Sequence, residues 1–565
     1  MFFREKISGA RRYLQLVENR RVAGQTRQRV VATIGRMDKL EENGELEAIL
    51  RSGARFSNKM IVLSAYDKGE STTVSTCRIG PKLIFERLWE QTGCKDQIKE
   101  LLGPRKFSFD VERAVLLTVL HRLMQPGSDR QCDRWQEDHR IDGSDGLSLH
   151  HYYRAMAWLG EALYEDEQDG ATPFSPRCTK DRIEEGLFAR RRDLFTSLEL
   201  VFFDTTSIYF EGEGGQTLGE RGFSKDHRPD LKQMVVGLVL DNEGRPVCCE
   251  LWPGNTADVR TLTPIVDRLR KRFGITRVCI VADRGMISRK TIEQLEGDQR
   301  QADYILGARL RLVKEIKQEV LSRAGRYKVV HPGRTKKKDP SPLSVKEVMI
   351  EDRRYVVCHN EEQARKDRAD REAIVAGLEE KLNKGDKLLV GNKGFRKYLK
   401  ARGKNKGFEI DRDKIKNEAR FDGKWVLRTS LEDLPADQVA LKYKQLWTVE
   451  SIFRSAKSLL ETRPVYHKCD ETIRGHVFCS FLALTLMKEL EDRLEAKGHC
   501  LEWKEVIRDL GRLEEVEIEQ DDKRFLLRTQ CKGVCGKVFQ AVGVSLPPTL
   551  RQIDPEATDE QESYI

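Results

Sequence analysis

Two apolar, β-branched stretches of this chain each carry an aspartate. The segment Leu198 to Phe210 reads L-E-L-V-F-F-D-T-T-S-I-Y-F with Asp204 inside it, and Arg277 to Gly285 reads R-V-C-I-V-A-D-R-G with Asp283 just before a glycine turn. Both patterns predict strands, the second of the fully buried kind. A carboxylate inside an apolar strand is costly unless it has partners, so each Asp needs a chemical reason. A third acid, Glu450, stands in Y-K-Q-L-W-T-V-E-S-I-F-R-S-A-K over Tyr443 to Lys457. At 3.6 residues per turn Tyr443, Trp447, Glu450, Arg454 and Lys457 share one helical stripe, and Val449, Ile452, Phe453, Ala456, Leu459 and Leu460 share another. One face packs, and the other presents a carboxylate among cations. Taken alone, that second face reads as a solvated one.

Convergence of the three acids changes that weighing. Each pair of like charges at ~4 Å costs about 4 kcal/mol at an effective dielectric near 20, and bound divalent cations remove the repulsion. Oxygen-only ligands suit Mg²⁺ or Mn²⁺, and a two-metal site activates water and stabilises a leaving oxygen in an in-line phosphoryl displacement. That is nuclease or strand-transfer chemistry.

The three acids, D-R-G at Asp283 to Gly285 and a Tyr-x2-Arg-x3-Glu-x6-Lys pattern resemble the DDE transposases of bacterial insertion sequences, in the insertion-sequence-four superfamily. Tyr443, Glu450 and Lys457 match the signature in register; its Arg position is Leu446 here, and Arg454, one turn past Glu450, is the substitute. Further matches are W-P-G-N-T-A-D at Trp252 to Asp258, F-D-G-K-W-V-L-R-T at Phe421 to Thr429, and R-P-V-Y-H followed by I-R-G-H from Arg463 to His476. The similarity covers Leu198 to about Glu489. P-G-S at Pro126 to Ser128 and an N-terminal hairpin point to the sixteen-thirty-four subgroup. The resemblance implies cut-and-paste transposition with Asp204, Asp283 and Glu450 as catalytic, metal-binding acids holding two Mg²⁺ ions, Mn²⁺ substituting. It implies phosphate contacts from Tyr443, Lys457, Arg454 and Arg284. Relatives pass through a DNA hairpin that needs an extruded base on an aromatic ring; Trp447 and Trp425 are the candidates, with core packing favoured for Trp425. The implied partners are double-stranded DNA, as terminal inverted repeats and target, and a second copy of the chain to pair two ends.

The chain has 565 residues, more than one core holds, and 39% hydrophobic content is ample for several. With 101 Lys and Arg against 91 Asp and Glu, the net charge of +10 is compatible with nucleic acid without proving it. The N-terminus lacks a signal-peptide core and Val477 to Met487 is too short to span a bilayer, so a soluble cytoplasmic protein without membrane association is expected. Thirteen scattered cysteines fit reduced, mostly buried thiols; the nearest metal-like pair is Cys531-x3-Cys535, with no second pair close by.

The expected fold is α/β: an RNase H-like catalytic core interrupted by a β-rich insertion, with a largely helical N-terminal region. Residues 1–50 form a basic β-hairpin region, Arg12 to Glu18 against Arg27 to Thr33, serving DNA or solvent equally well. Residues 51–195 are helical and offered to DNA ends: a helix from Asp110 stopped by Pro126 and Gly127, a second capped at Ser128 or Asp129, a third over His150 to Tyr164. The first two read as a helical hairpin rather than a helix-turn-helix. Residues 196–310 are the first part of the core, with Asp204 on its first strand and Asp283 ending its fourth. Residues 311–430 are the insertion, with basic tracts at Arg309 to Lys338 and Lys393 to Lys416 that would meet phosphates or stay solvated. Residues 431–495 complete the core, including a helix over Thr472 to Leu494 in which His476 caps or packs. Residues 496–565 are a helical region, Glu502 to Leu513, and a mobile acidic tail. Two rival functions are another RNase H-like nuclease, opposed by the Tyr-Glu-Lys register and the long insertion, and a catalytically unused DNA-binding relative, opposed by the presence of all three acids.

Overall fold

The computed structural model describes the chain except residues 23–24, 55–71, 104, 170, 172–174, 192–198, 276–277, 298–301, 337–338, 385–396, 402–407, 459, 521–522 and 554–565. Of the mobile tail expected over Thr549 to Ile565, Leu550–Ile553 instead form a strand paired with Lys523–Arg528; the remainder, the start of the Leu198 stretch, and parts of both basic tracts lie outside the described residues. The chain forms two compact units, one of residues 1–83, 137–142 and 501–565, the other of 84–136 and 143–500. Among the described residues no helix is long and apolar enough to cross a membrane.

The first unit contains two antiparallel sheets. Phe2–Ser8, Arg11–Val22 and Gln25–Arg36 form one in sequence order, so the expected hairpin gains a third strand on its first edge. The other runs Leu550–Ile553, Lys523–Arg528, Glu514–Gln520, Thr72–Arg78.

The second unit is built on a nine-stranded mixed sheet. In chain order its strands are β1 Glu199–Tyr209, β2 Gln233–Leu240, β3 Pro246–Pro253, β4 Val278–Ala282, β5 Asp303–Gly307, β6 Lys328–His331, β7 Leu343–Ile350, β8 Arg353–His359 and β9 Lys424–Thr429. They lie in the order β6-β7-β8-β9-β5-β4-β1-β2-β3. β1 pairs antiparallel with β2 and β2 with β3, whereas β1, β4 and β5 run parallel; the four remaining pairings, outward from β5, are antiparallel. β2, β3 and β4 are buried throughout, as their unbroken apolar runs require.

Eight helices matter for the site: α1 Val111–Met124, α2 Asp129–Trp135, α3 Leu149–Gly160, α4 Thr179–Arg191, α5 Leu262–Phe273, α6 Ala436–Lys444, α7 Trp447–Ser458 and α8 Asp470–Ala496. α1 is buried on every side, and the Asp110 side chain caps it by accepting from Arg113 N at 3.0 Å. α2 begins with a reciprocal capping box between Ser128 and Gln131. α8 packs on α3 and α1. The crossing is close because glycines stand at it: a Cβ on Gly475 would collide with Met156 O, and one on Gly160 with Glu471 O.

α4 and α5 are tied to β3 by a buried charge network. Arg272 donates to Glu184 Oε2 at 2.7 Å, Glu250 Oε1 at 2.9 Å and Glu185 Oε1 at 2.9 Å; Arg268 also pairs with Glu250. Lys180 Nζ donates to Asp181 Oδ1 at 2.6 Å and to Cys249 O at 2.8 Å. Three buried cations, Lys180, Arg268 and Arg272, thus face three buried carboxylates, Asp181, Glu184 and Glu250. Removing one partner strands a charge in the core, and Arg272→Met is expected to cost about 3–5 kcal/mol, measured as the shift of the urea unfolding midpoint at unchanged m-value. A loss below ~1 kcal/mol would mean that water screens the network.

Candidate active site

The parallel ladder between β1 and β4 sets the centre of the site. Phe203 pairs with Ala282, and one residue further along both strands come Asp204 and Asp283. Asp204 is pushed up to about 6 by burial, with the Asp283 and Asp258 carboxylates raising it further; Lys225 and the Thr205 amide, which donates to Asp204 Oδ1 at 2.7 Å, pull the other way. Asp283 accepts from Tyr443 Oη at 3.1 Å. That phenol lies over Gly307 at the end of β5, where a Cβ would collide with it. Burial, together with the Asp283 charge, drives the Tyr443 hydroxyl well above its usual range, so it stays a donor.

Tyr443 and Glu450 do not share one helix. α6 ends at Lys444 and α7 starts at Trp447, joined by tight bonds in which Leu446 N donates to Tyr443 O (3.1 Å) and Val449 N to Leu446 O (3.0 Å). This corrects the single stripe expected from Tyr443 to Lys457. The physical reason is Leu446, an apolar residue 5% exposed that anchors the junction. Of the expected packing face, Val449 and Phe453 are buried on α7, Ile452 and Ala456 are half-buried, Leu460 is buried just beyond the helix, and Leu459 lies outside the described residues. Glu450 is exposed on α7, which packs against β1, and makes no hydrogen bond or ion pair among the described residues. Arg454 and Arg284 are also exposed, Trp447 is 64% exposed, and Trp425 is half-buried on β9. The Arg284 and Gly285 carbonyls accept from Arg309 at 3.1 Å each. Lys457 is mostly covered, and its Nζ donates to Asp226 Oδ1 at 2.7 Å.

Asp204 and Asp283 are therefore brought together, while Glu450 stands apart from a preformed cluster. Among the described residues one set of three His, Cys, Asp or Glu side chains has its ligand atoms within 4.8 Å of one another: Asp129, His467 and His476. A guanidinium already serves that set, since Arg122 Nη2 lies 2.9 Å from His476 Nδ1. Burial, Arg122 and His467 hold His476 well below its usual value, and its Nε2 lies 3.2 Å from Thr462 O. His476 thus sits in a packed polar network.

Four further residues flank the acids. Lys225 Nζ donates to Thr205 O at 2.7 Å and pairs with Asp258 at 3.2 Å, and Thr205 Oγ1 donates to Asp258 Oδ1 at 2.8 Å. Asp226 holds Lys457 and Arg463. Lys225 and Asp258 line a cleft of about 310 Å³ with Phe223, which is 85% exposed. One sequence signal marks Lys225 and Asp226: they fall in the connection from Phe210 to Lys232 between two antiparallel strands, well beyond the ~12–15 residues at which a structureless connection becomes unusual and is commonly functional. The carboxylates of Asp204, Asp283 and Asp258 offer oxygen ligands of like charge, which fit a hard divalent cation.

Two family models match the chain: "Transposase DDE domain" over residues 196–486, and "IS1634 family transposase, N-terminal domain" over residues 3–67. Among solved structures the chain is similar to a piggyBac transposase, determined by electron cryo-microscopy as a synaptic complex with hairpin DNA, at 11% identity over 76% of this chain and 79% of that one. The TM-score of 0.37 is too low for that likeness to bear on the fold. No curated protein matches the sequence.

Leu446→Arg, which restores the signature residue, is expected to lower stability by several kcal/mol, the penalty of an unpaired buried ion, and to lower the melting temperature without tightening DNA binding. An aspartate raised above its unfolded value of ~3.9 stabilises the fold when protonated; that contribution is whole below the unfolded value and lost as pH rises through about 6. A bound cation requires the ionised form. Mg²⁺ is therefore expected to raise the melting temperature at pH ~8 and to have little effect at pH ~5, and Asp204→Asn should abolish the difference.

Proposed function

Because the chain belongs to the DDE transposases, of the IS1634 type, we propose that it recognises the ends of its own insertion sequence and performs Mg²⁺-dependent cleavage and strand transfer there. It acts in the cytoplasm on double-stranded DNA, as a homodimer that pairs two ends. The observation that carries this reading is that Asp204 on β1 and Asp283 just past the end of β4 each follow the last parallel pair, Phe203 with Ala282, with the helix of Glu450 packed on the same β1.

We read β1 to β5 with α5 as the first part of an RNase H-like core, supported by the order β3-β2-β1-β4-β5 and its change from antiparallel to parallel at β1. The segment between β5 and the α6–α7 pair is the insertion, whose β6 to β9 extend the sheet from β5. The helices before β1 form the N-terminal region that meets element ends.

Asp204, Asp283 and Glu450 would hold two Mg²⁺ ions, with Mn²⁺ able to replace them. When bound, the ions supply activation of water or a 3′-OH and stabilise the departing 3′ oxygen. The protein's own part is positional. Tyr443 fixes the Asp283 carboxylate through its hydroxyl, and Lys225 offsets part of the charge at Asp204. Glu450, exposed and without a protein partner among the described residues, is free to ligate. Lys457, Arg454 and Arg284 take phosphates along the cleaved end, and Trp447, with its indole open to solvent, stacks an extruded base.

The test is cleavage of a DNA fragment carrying the sequences that flank this gene, in Mg²⁺, with Asp283→Ala and Glu450→Ala alongside. Cleavage at the repeats should fall below detection in both variants while DNA binding persists. Undiminished cutting by Glu450→Ala would remove that residue from the metal set.

A further inference from the structure

A second charged group lies on the same side of the sheet as the acids. Asp226, in the connection between β1 and β2, accepts through Oδ1 from Lys457 Nζ at 2.7 Å and stands 3.0 Å from Arg463 Nη1. Its side chain is 6% exposed, and its other oxygen, Oδ2, is buried without a hydrogen-bond partner. One oxygen takes both cations and the second is orphaned, an arrangement that leaves the carboxylate under-satisfied. Lys225, the preceding residue, links this group to the acids, because its charge acts on both Asp204 and Lys457. Arg463 also lies over the Tyr209 ring, 5.7 Å from its centroid, so it keeps a support independent of Asp226. A lysine and an arginine converging on one anionic oxygen is the donor set of a phosphate site.

We propose that Lys457 and Arg463 form a two-cation clamp for a backbone phosphate of the bound DNA end, and that Asp226 fills this clamp as the phosphate's stand-in until DNA displaces it. The inference rests on the transposase reading above and assigns Arg463 the charge that the signature places where Leu446 stands. Displacement of Asp226 frees the cations, and the incoming phosphate supplies oxygens enough for both.

The experiment is fluorescence anisotropy of a labelled duplex carrying the flanking sequence, in EDTA, over a series of KCl concentrations. The proteins are the unmutated chain, Arg463→Gln, Asp226→Asn and Asp226→Ser, each checked for folding by circular dichroism. Arg463→Gln should weaken binding and flatten the plot of log affinity against log salt by about 0.9, the loss of one phosphate contact on B-DNA. The Asp226 variants should tighten binding by roughly three- to tenfold, the reciprocal of the fraction of molecules whose clamp stands open. Weaker binding by either folded Asp226 variant would overturn the stand-in, since Asp226 would then be positioning the cations. An unchanged slope in Arg463→Gln would overturn the clamp. If the unmutated protein cuts the flanking fragment and these slopes do not move, the clamp alone falls; if it is folded yet neither binds nor cuts, the transposase reading falls with it.

Discussion

Two carboxylates side by side on adjacent parallel strands are the constraint around which the second unit is arranged. The register that pairs Phe203 with Ala282 sets Asp204 and Asp283 each one residue past the last pair of that ladder. Repulsion between them has to be absorbed locally. Asp204 absorbs it by holding its proton more tightly, with its pKa pushed up to about 6 by burial and by its acidic neighbours. Asp283 takes the Tyr443 hydroxyl.

The scaffold that fixes this register is held partly by charge. Three cations and three carboxylates are buried where α4, α5 and β3 meet, and Arg272 alone reaches four acids, Asp181, Glu184, Glu185 and Glu250. Such a network gives little net stability over an apolar replacement but is costly to break. Between α3 and α8 the contact is steric: glycines at 160 and 475 let the two helices approach until backbone meets backbone. Directional ion pairs and a close helix crossing both resist small displacements, which suits a site whose chemistry depends on the positions of carboxylate oxygens.

How far the sequence showed this depends on the length scale of each signal. Asp204 and Asp283 were legible because they break apolar strand patterns, and the strands β2, β3 and β4 because their apolar runs are unbroken. α1 and α2 were legible from their caps and the Pro-Gly stop between them. The break between α6 and α7 was not, because helical periodicity runs through it and only the change to i→i−3 backbone bonds around the buried Leu446 marks the turn. Asp226 escaped notice, and Asp258 and Arg463 stood in matched motifs without a role, for another reason. Each is an ordinary charged residue in sequence, and its meaning comes from a partner at another place in the chain: Asp226 with Lys457 and Arg463, Asp258 with Lys225. Periodicity cannot report pairings of that kind.

Those pairings also bear on how a chain of modest net charge engages a polyanion. With 101 basic and 91 acidic residues, the excess of +10 gives little long-range attraction for so large a molecule. Near the acids three cations are already matched by internal carboxylates, Lys225 by Asp258 and Lys457 and Arg463 by Asp226. Phosphate binding at these positions is then an exchange of one anion for another, and its free energy is the difference between two charge-assisted contacts rather than the whole of one. A difference of that kind is small for an arbitrary phosphate and grows only where the backbone geometry satisfies both cations at once. Under the clamp proposed above, internal pairing lowers affinity for DNA in general and leaves discrimination to the shape of the end that fits.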